Sequence, residues 1–198
     1  MILSYLKEKL AVSSQSKHLI RPSETSLILI DIQEKLTNVI PKKEELLKNI
    51  TKILDAAELL KLDIHVTEQN PDKLGITLAN LIEGRVIKTH SKMSFSCIEC
   101  NDLIKSVESK KVKNIVLVGI ESHVCILQSC IELLKKGFNV HIVSDAIKSR
   151  KEIESNVAIS RMREAGAVIT TTETVIFELC KTSKNKNFKK ISQIIKRP

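Results

Sequence analysis

Three stretches of this sequence end in side chains that could move a proton or attack a carbon atom. The run Leu27-Ile28-Leu29-Ile30 is wholly apolar and stops at Asp31, with Gln33 two residues on. A carboxylate at the rim of a buried strand is a candidate base, because the dry wall behind it perturbs its proton affinity. The run Ile115-Val116-Leu117-Val118-Gly119 leads into Ile120-Glu121-Ser122-His123-Val124-Cys125, which sets Cys125 in the first turn of the helix expected next. There the helix dipole and unpaired backbone N–H groups favour both a thiolate and an oxyanion. The third group is Lys92, within Lys92-Met93-Ser94-Phe95-Ser96, a cation in a loop that could meet the other two. Singly these are ordinary residues: a strand-end Asp caps helices, a Cys on an amphipathic helix is core, and a loop Lys is solvated. Their weight comes from the combination.

To converge, they need a scaffold that brings several strand ends to one rim. Short β-branched runs occur at Ser26 to Asp31, Leu62 to Thr67, Arg85 to Lys88, Asn114 to Gly119, Asn139 to Ser144 and Ala167 to Thr171. They alternate with segments of helical period, the pattern of βα units around a parallel sheet. One helix begins near Pro41 and carries Leu46, Leu47, Ile50, Ile53, Leu54, Ala57 and Leu60 at three-to-four spacing. A second runs from Ser122 to Lys136 and ends at Gly137, and a third spans Glu152 to Glu164 before Gly166. The stretch around Asn70 to Gly75 reads as loop, and no linker or repeat divides residues 1–198, so the expectation is one domain. In such a sheet ligands bind beyond the carboxyl ends of the strands, where the three groups sit.

Bulk properties remove several function classes. No stretch nears about 18 consecutive apolar residues, so no membrane span is expected. From Met1 to Arg21, Lys7, Glu8, Lys9 and Lys17 interrupt any signal-peptide core, which points to the cytosol. Five cysteines, an odd number, argue against a disulfide framework and leave room for a reactive thiol. The net charge of +9 is mostly local: Lys181, Lys184, Lys186, Lys189, Lys190, Lys196 and Arg197 lie in the last 18 residues with no acid among them. With 3% aromatics and no Trp the stacking platforms of single-strand binders are missing. That segment therefore reads as a solvated basic tail rather than a nucleic-acid site.

The segments Leu29-Ile30-Asp31-Ile32-Gln33, Lys92-Met93-Ser94-Phe95-Ser96 and Gly119-Ile120-Glu121-Ser122-His123-Val124-Cys125 resemble, in order and spacing, the signatures of isochorismatase-like cysteine hydrolases. The similarity extends through Thr67-Glu68-Gln69-Asn70-Pro71, Ser144-Asp145-Ala146, Arg161-Met162-Arg163-Glu164-Ala165-Gly166 and Thr171-Thr172-Glu173-Thr174, into Asn187-Phe188-Lys189-Lys190-Ile191. The resemblance implies a Rossmann-like three-layer α/β/α sandwich on a parallel sheet of about six strands. It implies Cys125 as nucleophile, Asp31 as proton acceptor and Lys92 as the cation beside them, and the close Lys and Asp are expected to lower the thiol pKa. It implies a cis peptide between Ile120 and Glu121, with the backbone N–H groups of Glu121 and Cys125 as oxyanion donors. Gln33, Phe95 and His123 are candidate pocket residues, the substrate is a small molecule, and homo-oligomers are usual among relatives.

Departures narrow the chemistry. Nicotinamidases of the wider family carry metal-binding Asp-x-His near what is here Glu68-Gln69-Asn70-Pro71, and those ligands are absent, so neither metal nor cofactor is expected. Asp63-Ile64-His65 has that spacing but lies too early, within a strand, and His65 reads as structural. Retention of Cys125 argues against isochorismatase activity itself, in which the nucleophile is replaced. The resemblance and its departures together imply a metal-independent hydrolase of a small amide or related C–N bond; the alternative is a catalytically silent protein of this fold that acts as a binding partner or scaffold. Cys97-Ile98-Glu99-Cys100 has metal spacing but no second pair, so a packing role is expected. His90 and His123 flank the centre, and Lys88 competes with Lys92 for the cationic role, with the spacing to Phe95-Ser96 favouring Lys92.

Overall fold

A computed structural model describes residues 19–197, so part of the segment read for a secretory signal lies outside the described residues. A fully parallel six-stranded sheet runs in the order β3-β2-β1-β4-β5-β6. The strands are β1 Thr25–Ile30, β2 Asp63–Gln69, β3 Lys88–Lys92, β4 Asn114–Ile120, β5 Asn139–Lys148 and β6 Val168–Thr170. The longer helices are α1 Lys43–Leu59, α2 Asn101–Ser109, α3 Leu127–Lys135, α4 Glu152–Glu164, α5 Thr172–Cys180 and α6 Phe188–Lys196.

Side chains alternate across a strand, and β1, central and apolar throughout, feeds both faces. Leu27 and Leu29 enter one core with Leu46, Ile50 and Leu54 of α1, Ile176 of α5 and Ile191 of α6. Ile28 and Ile30 enter the other with Leu103 of α2, Cys130 and Leu133 of α3 and Met162 of α4. The result is the expected three-layer sandwich. The chain leaves β1 towards β2 and β3, then returns to place β4 on the other side of β1. Strand order therefore reverses between β1 and β4, where an open α/β sheet forms its crevice.

Two elements differ from expectation. The third strand is Lys88–Lys92 rather than Arg85 to Lys88. The apolar pair Val86-Ile87 suggested a strand, yet Val86 is 92% exposed in the connection, whereas the polar Lys-Thr-His-Ser-Lys segment forms the sheet edge. An edge strand with one flank in solvent does not need the apolar pattern of an interior strand, and exposed charge protects it from pairing with other chains. Lys92 is consequently the last residue of a strand, not a loop residue. The basic C-terminal segment is no solvated tail either: α6 buries Ile191 and Ile194, Asn187 Nδ2 donates to the Leu59 carbonyl at 3.0 Å, and Lys52 Nζ donates to the Ile195 carbonyl at 3.1 Å.

The β1–β4 contact admits no side chain at one point. Gly119 has φ +122° and pairs with Ile30; a Cβ there would stand 2.1 Å from the Ile30 carbonyl oxygen. Gly119→Ala combines a strained φ with a backbone clash, and is expected to cost about 3–5 kcal/mol. A lowered urea midpoint at unchanged m-value would show it, and a native midpoint would refute the packing described.

Candidate active site

Asp31 follows β1 with φ +54°, a left-handed conformation that Asp adopts more readily than most residues. The chain turns sharply there, while the Asp31 N–H still donates to the Thr67 carbonyl at 3.1 Å. The carboxylate is fully buried: Oδ1 accepts from Thr67 Oγ1 at 2.7 Å and Oδ2 from Lys92 Nζ at 2.7 Å. The Lys92 ammonium, its side chain 1% exposed, also donates to Gln69 Oε1 at 2.8 Å and the Phe95 carbonyl at 3.0 Å. With the Ser94 carbonyl as a further, longer partner at 3.4 Å, the ammonium is surrounded by acceptors and fixed in one place.

A framework of amides holds this arrangement. Gln69 Nε2 donates to the Met93 carbonyl at 2.7 Å, tying the loop after β3 to β2. Gln33 Oε1 accepts from the Gln69 N–H at 2.8 Å, and Gln33 Nε2 donates to the carbonyls of Gln69 at 3.0 Å and of Gly75. Gln33 was expected in the pocket wall; instead it is fully buried and its amide is engaged with backbone, so it braces the β2 end and the loop beyond. Phe95 contributes its carbonyl to Lys92, and the residue is 51% exposed.

Cys125 sits in a π-helical turn, Ser122–Ile126, that runs directly into α3, rather than in the first turn of a regular α-helix. The wider turn is built on Glu121, whose carbonyl accepts from the N–H groups of Val124 at 3.1 Å and Ile126 at 3.2 Å. The Ile120–Glu121 peptide is cis. The Cys125 thiol is buried beside the Asp31 carboxylate and the Glu121 N–H, and both act on its proton affinity. Burial first, then the charge of Asp31, push the thiol pKa up to about 12, against the downward pull of Lys92 and the Glu121 N–H. This runs against the expectation of a lowered pKa: burial disfavours the thiolate, and the Lys92 charge is already matched by Asp31.

The remaining candidates fall outside this cluster. His90 shares a hydrogen bond with His65 Nδ1 at 3.0 Å, and His65 Nε2 is 2.8 Å from Asp63 Oδ2, so the pair forms a polar column nearer the start of β2. Burial first lowers the pKa of both imidazoles. His90 therefore faces His65 instead of the Asp31–Lys92 pair. Lys88 Nζ donates to Ser106 Oγ at 2.8 Å, away from Asp31. His123 Nδ1 is 3.0 Å from Ser149 Oγ. Cys97 and Cys100 lie in the α2 core, their thiols pushed up by burial to about 12 and about 11. Thr67 and Gln69 were not singled out as site residues, although they share one face of β2 by its two-residue period.

Comparison with known proteins agrees with this fold. Residues 25–174 match the family model described as the isochorismatase domain, and the chain belongs to that family and carries its hydrolase fold. A secreted isochorismatase effector of Phytophthora sojae is 36% identical over 198 residues, 94% of this chain and 92% of that protein. Isochorismatase domain-containing protein 2 of Xenopus laevis is 37% identical over 174 residues, 87% of this chain and 83% of the relative. Among solved structures, the MAR1 ribonuclease of Caenorhabditis elegans is 37% identical with a TM-score of 0.83, covering 89% of this chain and 92% of that one. No helix among the described residues is long and apolar enough to cross a membrane.

Proposed function

We propose that this protein is a metal-independent cysteine hydrolase that cleaves a small amide or a related C–N bond through a thioester at Cys125. The observation that carries this reading is the buried Cys125 thiol beside an Asp31 carboxylate that Thr67 and Lys92 hold in place by hydrogen bonds. As sulfur attacks the carbonyl carbon, its proton passes to Asp31, so no standing thiolate is needed. The carbonyl oxygen becomes an oxyanion that the N–H groups of Glu121 and Cys125 receive. Asp31 then gives the proton to the leaving nitrogen as the C–N bond breaks. Water attacks the thioester, its proton goes to Asp31 and on to the departing sulfur, and the free acid leaves. Phe95 and His123 stand as pocket walls. The physiological setting proposed is a cytosolic homo-oligomer, for which Ile153 and Val157, one turn apart on α4 and exposed, offer an apolar contact.

A second reading, a catalytically silent protein of this fold acting as binding partner or scaffold, draws on the same raised thiol pKa. A screen of small amides separates the two, with an RNA oligonucleotide added because a similar structure is called a ribonuclease. The hydrolase reading expects an amide whose turnover disappears in Cys125→Ala, and a hydroxylamine-sensitive acyl adduct on residue 125 by intact mass. Turnover surviving in Cys125→Ala would overturn it.

A further inference from the structure

Glu121, which precedes the turn that carries Cys125, and the turn's first two residues are tied by their side chains to the chain after β5, in the loop and at the start of α4. Glu121 Oε2 accepts from the Arg150 backbone N–H at 3.0 Å and from Arg150 Nε at 3.1 Å. Ser155 Oγ donates to Ser122 Oγ at 3.4 Å, and His123 Nδ1 shares a hydrogen bond with Ser149 Oγ at 3.0 Å. The sheet explains how this segment arrives. The β4–β5 ladder breaks after Leu117↔Ile142 and resumes at Gly119↔Ile147 and Ile120↔Lys148. Over that interval β5 uses more chain than β4, the hallmark of a bulge, and its end comes level with the cis peptide.

Glu121 is where these ties meet the chemistry. Its N–H favours the Cys125 thiolate, its carbonyl builds the π-turn, and its side chain, 14% exposed, is clasped by Arg150. The Arg150 side chain is itself 58% exposed, so it supplies no core packing. An ion pair whose arginine lies largely in solvent adds little to stability. Catalytic geometry is far less forgiving, because donors must stay within about 0.5 Å of their productive positions.

We propose that Arg150 is a positioning residue for the chemistry at Cys125, acting through the Glu121 carboxylate to keep the Glu121 N–H on the sulfur and then on the oxyanion. This rests on the reading of Cys125 as nucleophile. The test compares Arg150→Met, Arg150→Lys and Glu121→Gln in the full chain, by kcat, KM and the pH profile of Cys125 alkylation with iodoacetamide. Arg150→Met is expected to lower kcat about tenfold or more with KM little changed. It should also move the alkylation profile to higher pH, since a misaligned N–H no longer favours the thiolate. Arg150→Lys, which can still reach the carboxylate, is expected to recover part of both effects, and Glu121→Gln to share their direction. Melting temperatures should stay within about 2 °C of the native protein. A native alkylation profile and kcat in Arg150→Met would overturn the proposal. Alkylation reads the alignment without any substrate, so a failed amide screen would count against the hydrolase reading and leave this test standing.

Discussion

Lys92→Met should destabilise the protein by about 3–5 kcal/mol and abolish turnover, the largest effect expected of any single side-chain change at the site. Both partners of the Lys92–Asp31 pair are buried, at 1% and 0% side-chain exposure, so solvent does little to screen the loss. Methionine fills the space of the lysine stem but leaves Asp31 with a buried charge and no cation, only neutral neighbours such as Thr67. It also orphans Gln69 Oε1 and the Phe95 carbonyl, each of which accepts from Lys92. A charge in that position must lose its compensation or take up a proton, and either way the folded state is weakened. Much of the cost lies in the stranded carboxylate, so adding Asp31→Leu to Lys92→Met should recover a large part of the stability while activity stays lost. Urea denaturation of the two single variants and the double variant gives the coupling directly. Strict additivity of the single effects would show that the two charges do not interact as described.

The part of this site visible in the sequence is the part that interior strands display. β1 and β4 are central, buried on both faces, and written as unbroken apolar runs whose ends are conspicuous: Asp31 after one, the cysteine turn after the other. The helix over Glu152 to Glu164 was legible because its start and its closing Gly166 bracket it. The β3 edge was less legible than β6, the other edge, which the run Ala167 to Thr171 had marked. β3 consists of polar residues with solvent on one flank, so its pattern carries no burial signal, and the adjacent Val86-Ile87 pair drew the assignment three residues early. The same blindness applied to α6, where lysine counting hid Phe188, Ile191, Ile194 and Ile195, one apolar stripe at helical spacing.

Side-chain bonding between distant segments was less legible still. Gln33 looked like a pocket residue because it follows Asp31, but its amide was needed where the backbone of Gln69 and Gly75 would otherwise lie unpaired. Arg150 gave no signal at all, because its place depends on the bulge that advances β5. The thiol pKa was mistaken in sign for a related reason. Counting Lys92 as a neighbour is a sequence-level step, whereas knowing that Asp31 has already taken up its charge requires distances.

That sign leads to an unusual expectation for Asp31→Asn, namely faster alkylation and slower turnover. Burial first, and then the charge and hydrogen bond of Asp31, hold the Cys125 thiol up at about 12, so Asp31 disfavours a free thiolate. In the native protein the thiolate fraction, and with it the iodoacetamide rate, should therefore climb about tenfold per pH unit through pH 7–9 without levelling. Asparagine removes the negative charge and leaves Lys92 without its counter-ion, both of which lower the thiol pKa. A fall of one unit raises the thiolate fraction about tenfold at any pH well below the pKa, so at pH 8 the variant should be alkylated at least about tenfold faster. Turnover needs something else: an acceptor for the proton at the moment of attack, and a donor to the leaving nitrogen. Asparagine can be neither, and loss of a general acid–base typically costs about 10²–10⁴ in rate. A mere loss of structure would slow both reactions together, and a mere loss of field would change alkylation alone. Only a proton carrier that also restrains its own nucleophile drives them in opposite directions, so parallel losses in Asp31→Asn would remove Asp31 from the reaction.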